Sequence, residues 1–204
     1  SSLPVLNSLA LNLPASNSPV LPPIANAASG QLAVGLGVMN YRGWYGYQDG
    51  GQAVFDNYIA KIAIFARYLL ENGHNIRLLT GDENDVPAVE ALLATLDKTD
   101  AGRLFYEPVY SIHDVIGQVL HTDLVVATRF HNVVGALMAA RPVISLGYAA
   151  KNDLLLQKMG LGDYCQNIED FNIDQLIVQF ENLAANRKEH ACLIETTVAG
   201  FKNS

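Results

Sequence analysis

The segment Thr128-Arg129-Phe130-His131 places a guanidinium and an imidazole directly after the apolar run Leu124 to Ala127. With Thr128 as a helix N-cap, the next three residues form the first helical turn. Backbone N–H groups there lack intrahelical acceptors and the helix dipole is positive. A cation at that spot is misplaced by a few tenths of a kcal/mol up to about one. A bound anion resolves the conflict, accepting the open N–H groups and pairing with the Arg129 fork. Lys151 raises the same question, because it follows Gly147-Tyr148-Ala149-Ala150 and opens another helix. Arg42, in the loop after an earlier apolar run, would be a third cation at a strand end. From spacing alone each has an ordinary alternative: Arg129 and Lys151 in solvent, His131 packed at a strand–helix junction, Arg42 on a surface loop.

These residues need a scaffold that delivers them to one edge, and the chain has the pattern of one. Residues 32–39, 75–80, 103–106, 123–127 and 142–146 read as five strands, several of them continuously apolar, as strands covered on both faces are. Helical segments alternate with them: 53–72, with Phe55, Ile59, Ile62, Ala66 and Leu69 on one face, then 86–96, one that Ser111 opens, 130–140 and 151–159. Ser111 with Asp114 resembles a capping box, and Gly73 suits the end of the first helix. A short extended piece follows Gly162, and one or two helices close the chain within 173–202. This alternation predicts an α/β fold, a Rossmann-like doubly wound parallel sheet. Ligands of such sheets bind beyond the carboxyl ends of the strands, near helix N-termini. In chain order those ends carry Asn40, Tyr41 and Arg42; Thr80, Gly81 and Asp82; Glu107 and Pro108; Thr128 to His131; and Gly147, Tyr148 and Lys151.

Composition narrows the chemistry. The chain has 204 residues, half of them hydrophobic, and a net charge of −7. That supports one domain with a sizeable core and argues against a nucleic-acid footprint. Residues 1–30 hold five of the eight prolines and no charged or aromatic residue, the texture of a linker or strap; residues 31–204 form the domain. The loop from Gly43 to Gly51, rich in Gly and Tyr, suits a lid, a sugar-stacking surface or a packed interdomain loop. No apolar run approaches the ~20 residues of a membrane span, and no basic signal-peptide start is present, so a cytoplasmic location is expected. Cys165 and Cys192 read as ordinary thiols, and no histidine pair has metal-ligand spacing. Phosphate loops, dinucleotide fingerprints and nucleophile elbows are absent. No carboxylate occurs from Leu124 to Asn152.

The run Asp123 to His131, then Ala136 to Leu146, then Gly147-Tyr148 and Lys151, resembles the polysaccharide pyruvyl transferase family. The resemblance is specific over about Asp123 to Gly162. It implies the C-terminal, donor-binding half of a GT-B-type enzyme built from two Rossmann-like domains, with phosphoenolpyruvate as donor, a saccharide or lipid-linked glycan precursor as acceptor, and no cofactor or metal. Arg129, Lys151 and Arg42 would hold the donor, with Thr128 and Tyr148 at the same site. His131 would carry a proton, as acid or as base. Such enzymes are longer than this chain, so an N-terminal domain or a homo-oligomer is expected to complete the site. Two alternatives stay open. One is a nucleotide-sugar glycosyltransferase or epimerase domain, against which the carboxylate-free stretch counts. The other is a non-catalytic binding remnant.

Overall fold

A computed structural model describes residues 30–43 and 50–202. The proline-containing segment, up to Ser29, and the centre of the Gly- and Tyr-rich loop lie outside the described residues. The elements follow in the order β1 (Ala33–Gly37), α1 (Gly51–Glu71), β2 (Asn75–Leu79), α2 (Val86–Leu93), β3 (Leu104–Tyr106), α3 (Ile112–Leu120), β4 (Leu124–Ala127), α4 (Phe130–Met138), β5 (Val143–Gly147), α5 (Ala150–Lys158), β6 (Cys165–Asn167), α6 (Ile173–Ala185) and α7 (Arg187–Lys202). No helix among the described residues is long and apolar enough to cross a membrane.

All strand pairs are parallel, in the order β3-β2-β1-β4-β5-β6. This is the doubly wound Rossmann-like arrangement that the alternation predicts. The sheet has six strands where the sequence suggests five. Its extra member, β6, is three residues long and partly exposed, and it pairs Ser145 with Cys165. With no apolar run to mark it, only its pairing to β5 identifies it.

Chain direction across the sheet changes between β1 and β4. The first half winds outward from β1 to β3, and the second returns to β4 and winds out to β6. Such a switch point opens a crevice at the carboxyl ends of the two central strands. Both faces of the sheet are covered. β4 and β5 are buried at every residue, and α1 buries Phe55, Ile59, Ile62, Ala66 and Leu69 against the core. Gly73 takes a φ of +83° just beyond α1, the left-handed turn in which glycine costs least.

His74 fixes how the chain leaves α1 and enters β2. It is 7% exposed, its Nδ1 accepts the Leu32 N–H at 3.1 Å, and its ring lies edge-on to Phe180. Burial lowers its pKa below the ordinary histidine value, against the opposing pull of Glu181 and Asp123. A depressed folded-state pKa contributes stability that is complete above the unfolded value of ~6.5 and is lost as pH falls below it towards the folded value. Thermal melts should therefore show Tm falling on acidification through that window. In His74→Gln, which keeps an acceptor for Leu32 but does not titrate, the fall should be smaller.

Candidate functional site

On the second half of the sheet α4, α5 and α6 each follow a strand, and the starts of α4 and α5 are left open. The N-cap of α4 is Arg129 and that of α5 is Ala149, and neither provides a side-chain cap. By contrast, Ser111 caps α3 through the Asp114 N–H, and Asn172 caps α6 through the Gln175 N–H. The first N–H groups of α4 (Phe130, His131) and of α5 (Ala150, Lys151) therefore face the crevice without intrahelical acceptors. Since β4 pairs with β5, the two positive helix ends lie side by side. Lys151 links them, with its Nζ 4.5 Å from the centre of the Phe130 ring, a cation–π distance.

The helix begins one residue later than the sequence suggests. Thr128 is not the N-cap. Its N–H donates to the Gly37 carbonyl at 3.2 Å, extending the β1–β4 ladder, and Asn132 and Val133 both donate to the Arg129 carbonyl. The Thr128 side chain is fully buried and shares a 2.8 Å hydrogen bond with the Tyr58 hydroxyl of α1. Burial raises the Tyr58 pKa, keeping that hydroxyl protonated. Thr128 therefore reaches the crevice only through the turn that it holds.

Arg129 is not a free cation either. Its Nε and Nη2 donate to Asp85 Oδ2 and Oδ1 at 2.9 and 2.7 Å. Burial disfavours its charge, but the Asp85 hydrogen bonds and charge outweigh that cost and raise its pKa. Asp85 is fully buried and also accepts the Asn40 N–H at 3.0 Å and the Gly81 N–H at 3.3 Å. One carboxylate thus gathers four donors from beyond β1, β2 and β4. Gly81 has no side chain where Arg129 passes; a Cβ there would lie 3.1 Å from Arg129 Cβ and Cγ. The stretch without carboxylates in the sequence does not give a site without them, because Asp85 and Asp82 arrive from the far side of the switch point.

The remaining candidates separate. Arg42 turns towards α1, with its guanidinium 4.8 Å from the Phe55 ring centre and bonds to Asn40 and Gln52. Tyr148 lies 5.9 Å, ring centre to ring centre, from the buried Tyr41, whose hydroxyl donates to Glu169 at 2.5 Å. Burial and Glu169 both raise the Tyr41 pKa. His131 is exposed and lines a cavity of about 420 Å³, together with residues beyond β2 and β3. The crevice therefore brings Arg129, His131 and Lys151 to the starts of two adjacent helices, while Arg42 leans away over α1. Sequence reasoning missed Asp85. Its only signal was an acidic residue shortly after a strand and just before Val86-Pro87, a pattern that usually marks a helix cap.

Residues 7–149 match the family model described as polysaccharide pyruvyl transferase. That is well over half of the chain, and the chain belongs to this family. No curated protein matches its sequence. Among solved structures, the glycosyltransferase SnogD from Streptomyces nogalater is similar, with a TM-score of 0.55 and 16% identity over 91% of this chain and 44% of that one. A mutant of the Thermobaculum terrenum O-GlcNAc transferase aligns with a TM-score of 0.52 and 15% identity over 90% of this chain and 34% of that one. At such identities the likeness is one of fold, that of a Rossmann-like half of a GT-B enzyme. The chain spans less than half the length of either protein.

The four-donor carboxylate makes a stability prediction. In Asp85→Asn an amide –NH2 replaces one oxygen, so two of the four donors face another donor. Removing one partner of a buried charge pair costs about 3 kcal/mol or more, and urea unfolding should show a loss of that order. Arg129→Met combined with Asp85→Leu leaves no unpaired charge but takes the acceptor from the Asn40 and Gly81 N–H groups, so it should recover only part of the loss.

Proposed function

We propose that this member of the polysaccharide pyruvyl transferase family binds phosphoenolpyruvate across the starts of α4 and α5 and supplies the donor-binding half of a pyruvyl transferase. One observation carries the reading beyond family membership: two uncapped helix N-termini lie side by side, with Lys151 at their junction. Phosphoenolpyruvate carries two anionic groups, a phosphate and a carboxylate. Two adjacent helix ends offer two sets of N–H donors for them. Lys151 supplies mobile positive charge. Arg129, anchored by Asp85 through two of its nitrogens, presents its Nη1 in a fixed direction. Pre-fixing a guanidinium in this way lowers the ordering cost of binding. Thr128 and Tyr148 shape the site, and Arg42, which leans over α1, would have to swing back from beyond β1 to reach the donor.

In the proposed reaction one acceptor hydroxyl adds to the donor double bond, its oxygen to C2 and a proton to C3. A second hydroxyl then attacks C2, phosphate leaves, and the second proton departs with it. The product is a cyclic ketal of the acceptor saccharide, a sugar unit of a polysaccharide or glycan precursor. His131 is exposed beside the α4 N-terminus and is the proton carrier of this scheme. The chemistry consumes phosphoenolpyruvate as a substrate and calls on no nicotinamide, flavin or metal. A cytoplasmic setting, where that donor is made, suits it, and a further domain or a second copy of the chain would complete the enzyme.

The competing reading, a nucleotide-sugar transferase, gains from the carboxylates that the fold brings to α4. Calorimetric titration separates the two. Phosphoenolpyruvate should bind, and Lys151→Ala should weaken it about tenfold, the loss of one charge-assisted contact. Binding of a UDP-sugar in place of phosphoenolpyruvate would overturn the proposal.

A further inference from the structure

The cavity that His131 borders is chemically unlike the helix ends beside it. Its floor is apolar, formed by Val109 and by Ile112 and Val115 of α3. Its rim carries two carboxylates, Asp82 and Glu83, and no Lys or Arg lines it. Asp82 uses Oδ1 for the Asn84 backbone and side-chain N–H groups, at 2.9 and 2.7 Å. Its Oδ2 and the whole Glu83 carboxylate have no hydrogen-bond partner among the described residues. Beside them stands Tyr110, 85% exposed, with no ring contact or side-chain hydrogen bond among the described residues. Leaving so large an aromatic surface in water is unfavourable, and a ligand face packed on it would recover that area.

These features select a ligand class. The two carboxylates repel phosphate and carboxylate groups, so the donor does not belong here. Open carboxylate oxygens are acceptors that want hydroxyl or ammonium donors. A bare aromatic ring beside them suits a molecule with one C–H face and a hydroxyl rim. No group of three His, Cys, Asp or Glu side chains among the described residues could hold a metal ion, which leaves the carboxylates to hydrogen bonding. The volume of about 420 Å³ falls within the range of roughly 300–1,000 Å³ usual for small-molecule sites.

The geometry points to a subsite for a neutral saccharide in this cavity, with a pyranose ring packed on Tyr110 and its hydroxyls donating to Asp82 and Glu83. Identifying that sugar as the acceptor rests on the pyruvyl-transfer reading, whereas its binding does not. His131 then stands on the shared wall, with the donor at the α4 start on one side and the acceptor on the other. On this view the chain holds part of the acceptor itself and does not leave it wholly to another domain.

Saturation-transfer NMR on the 204-residue chain tests this with methyl glucopyranoside, methyl galactopyranoside and methyl mannopyranoside as probes. At least one should receive saturation at its ring protons. The signal should drop about fivefold in Tyr110→Ala, the loss of one stacking contact, and should also drop in Glu83→Gln. Tyr110 and Glu83 are exposed, so both variants should fold. Phosphoenolpyruvate titrated into Tyr110→Ala should bind as it does to the parent chain. No signal from any pyranoside, a signal untouched by Tyr110→Ala, or displacement of the pyranoside by uridine would overturn the subsite. Pyranoside binding without phosphoenolpyruvate binding would sink the donor reading and the acceptor label while leaving a saccharide site in place.

Discussion

The functional edge of this fold depends on one buried carboxylate. Asp85 takes the backbone N–H groups of Asn40 and Gly81 and both arms of the Arg129 fork. The four donors come from beyond three strands of the sheet centre: Asn40 beyond β1, Gly81 beyond β2 and both arms of Arg129 beyond β4. A buried charge is tolerated only when its oxygens are fully engaged, and here each oxygen has two donors. The turns beyond these strands are therefore held together by an interaction that leaves little freedom to any of them. Arg129 becomes a fixed part of the wall, and the start of α4 inherits that fixity.

This arrangement redistributes charge across the crevice. Asp85 largely neutralises Arg129, so the positive potential at the switch point comes mainly from the open ends of α4 and α5 and from Lys151. On the other side of α4, Asp82 and Glu83 make the neighbouring cavity acidic. A single helix start thus divides a positive compartment from a negative one, and His131 stands at the boundary. Such a partition suits the proposed reaction of an anionic donor with a neutral acceptor, since the acidic cavity repels the donor and leaves room for an uncharged ligand.

The family assignment and the structural neighbours agree on architecture and differ in what they offer about chemistry. Membership rests on residues 7–149, which include both sides of the switch point. The glycosyltransferase neighbours share the chain's fold over less than half their own length. A Rossmann-like half can serve many transfers. Support for the proposed pyruvyl transfer comes from the two uncapped helix ends and the groups around them.

Local sequence was enough for the layers of this protein and for the edge at which they matter. Apolar runs such as Leu124 to Ala127 declare buried strands, and the spacing of Phe55, Ile59, Ile62, Ala66 and Leu69 declares a covering helix, because period and burial are written in consecutive residues. The same locality put Arg129, His131 and Lys151 at helix starts. It misplaced the N-cap by one residue, because only the β1–β4 ladder and Tyr58 keep Thr128 extended. It read β6 only as a short extended piece after Gly162, because those three residues join the sheet solely through β5. It could not supply Asp85 to Arg129, 44 residues away, nor bring Tyr110 and Glu83 to the wall that His131 shares. Those pairings cross the point where the chain reverses its winding. What the sequence determined by itself was where cations meet helix ends; which of those cations is already neutralised, and what lies beside it, was decided by the tertiary structure.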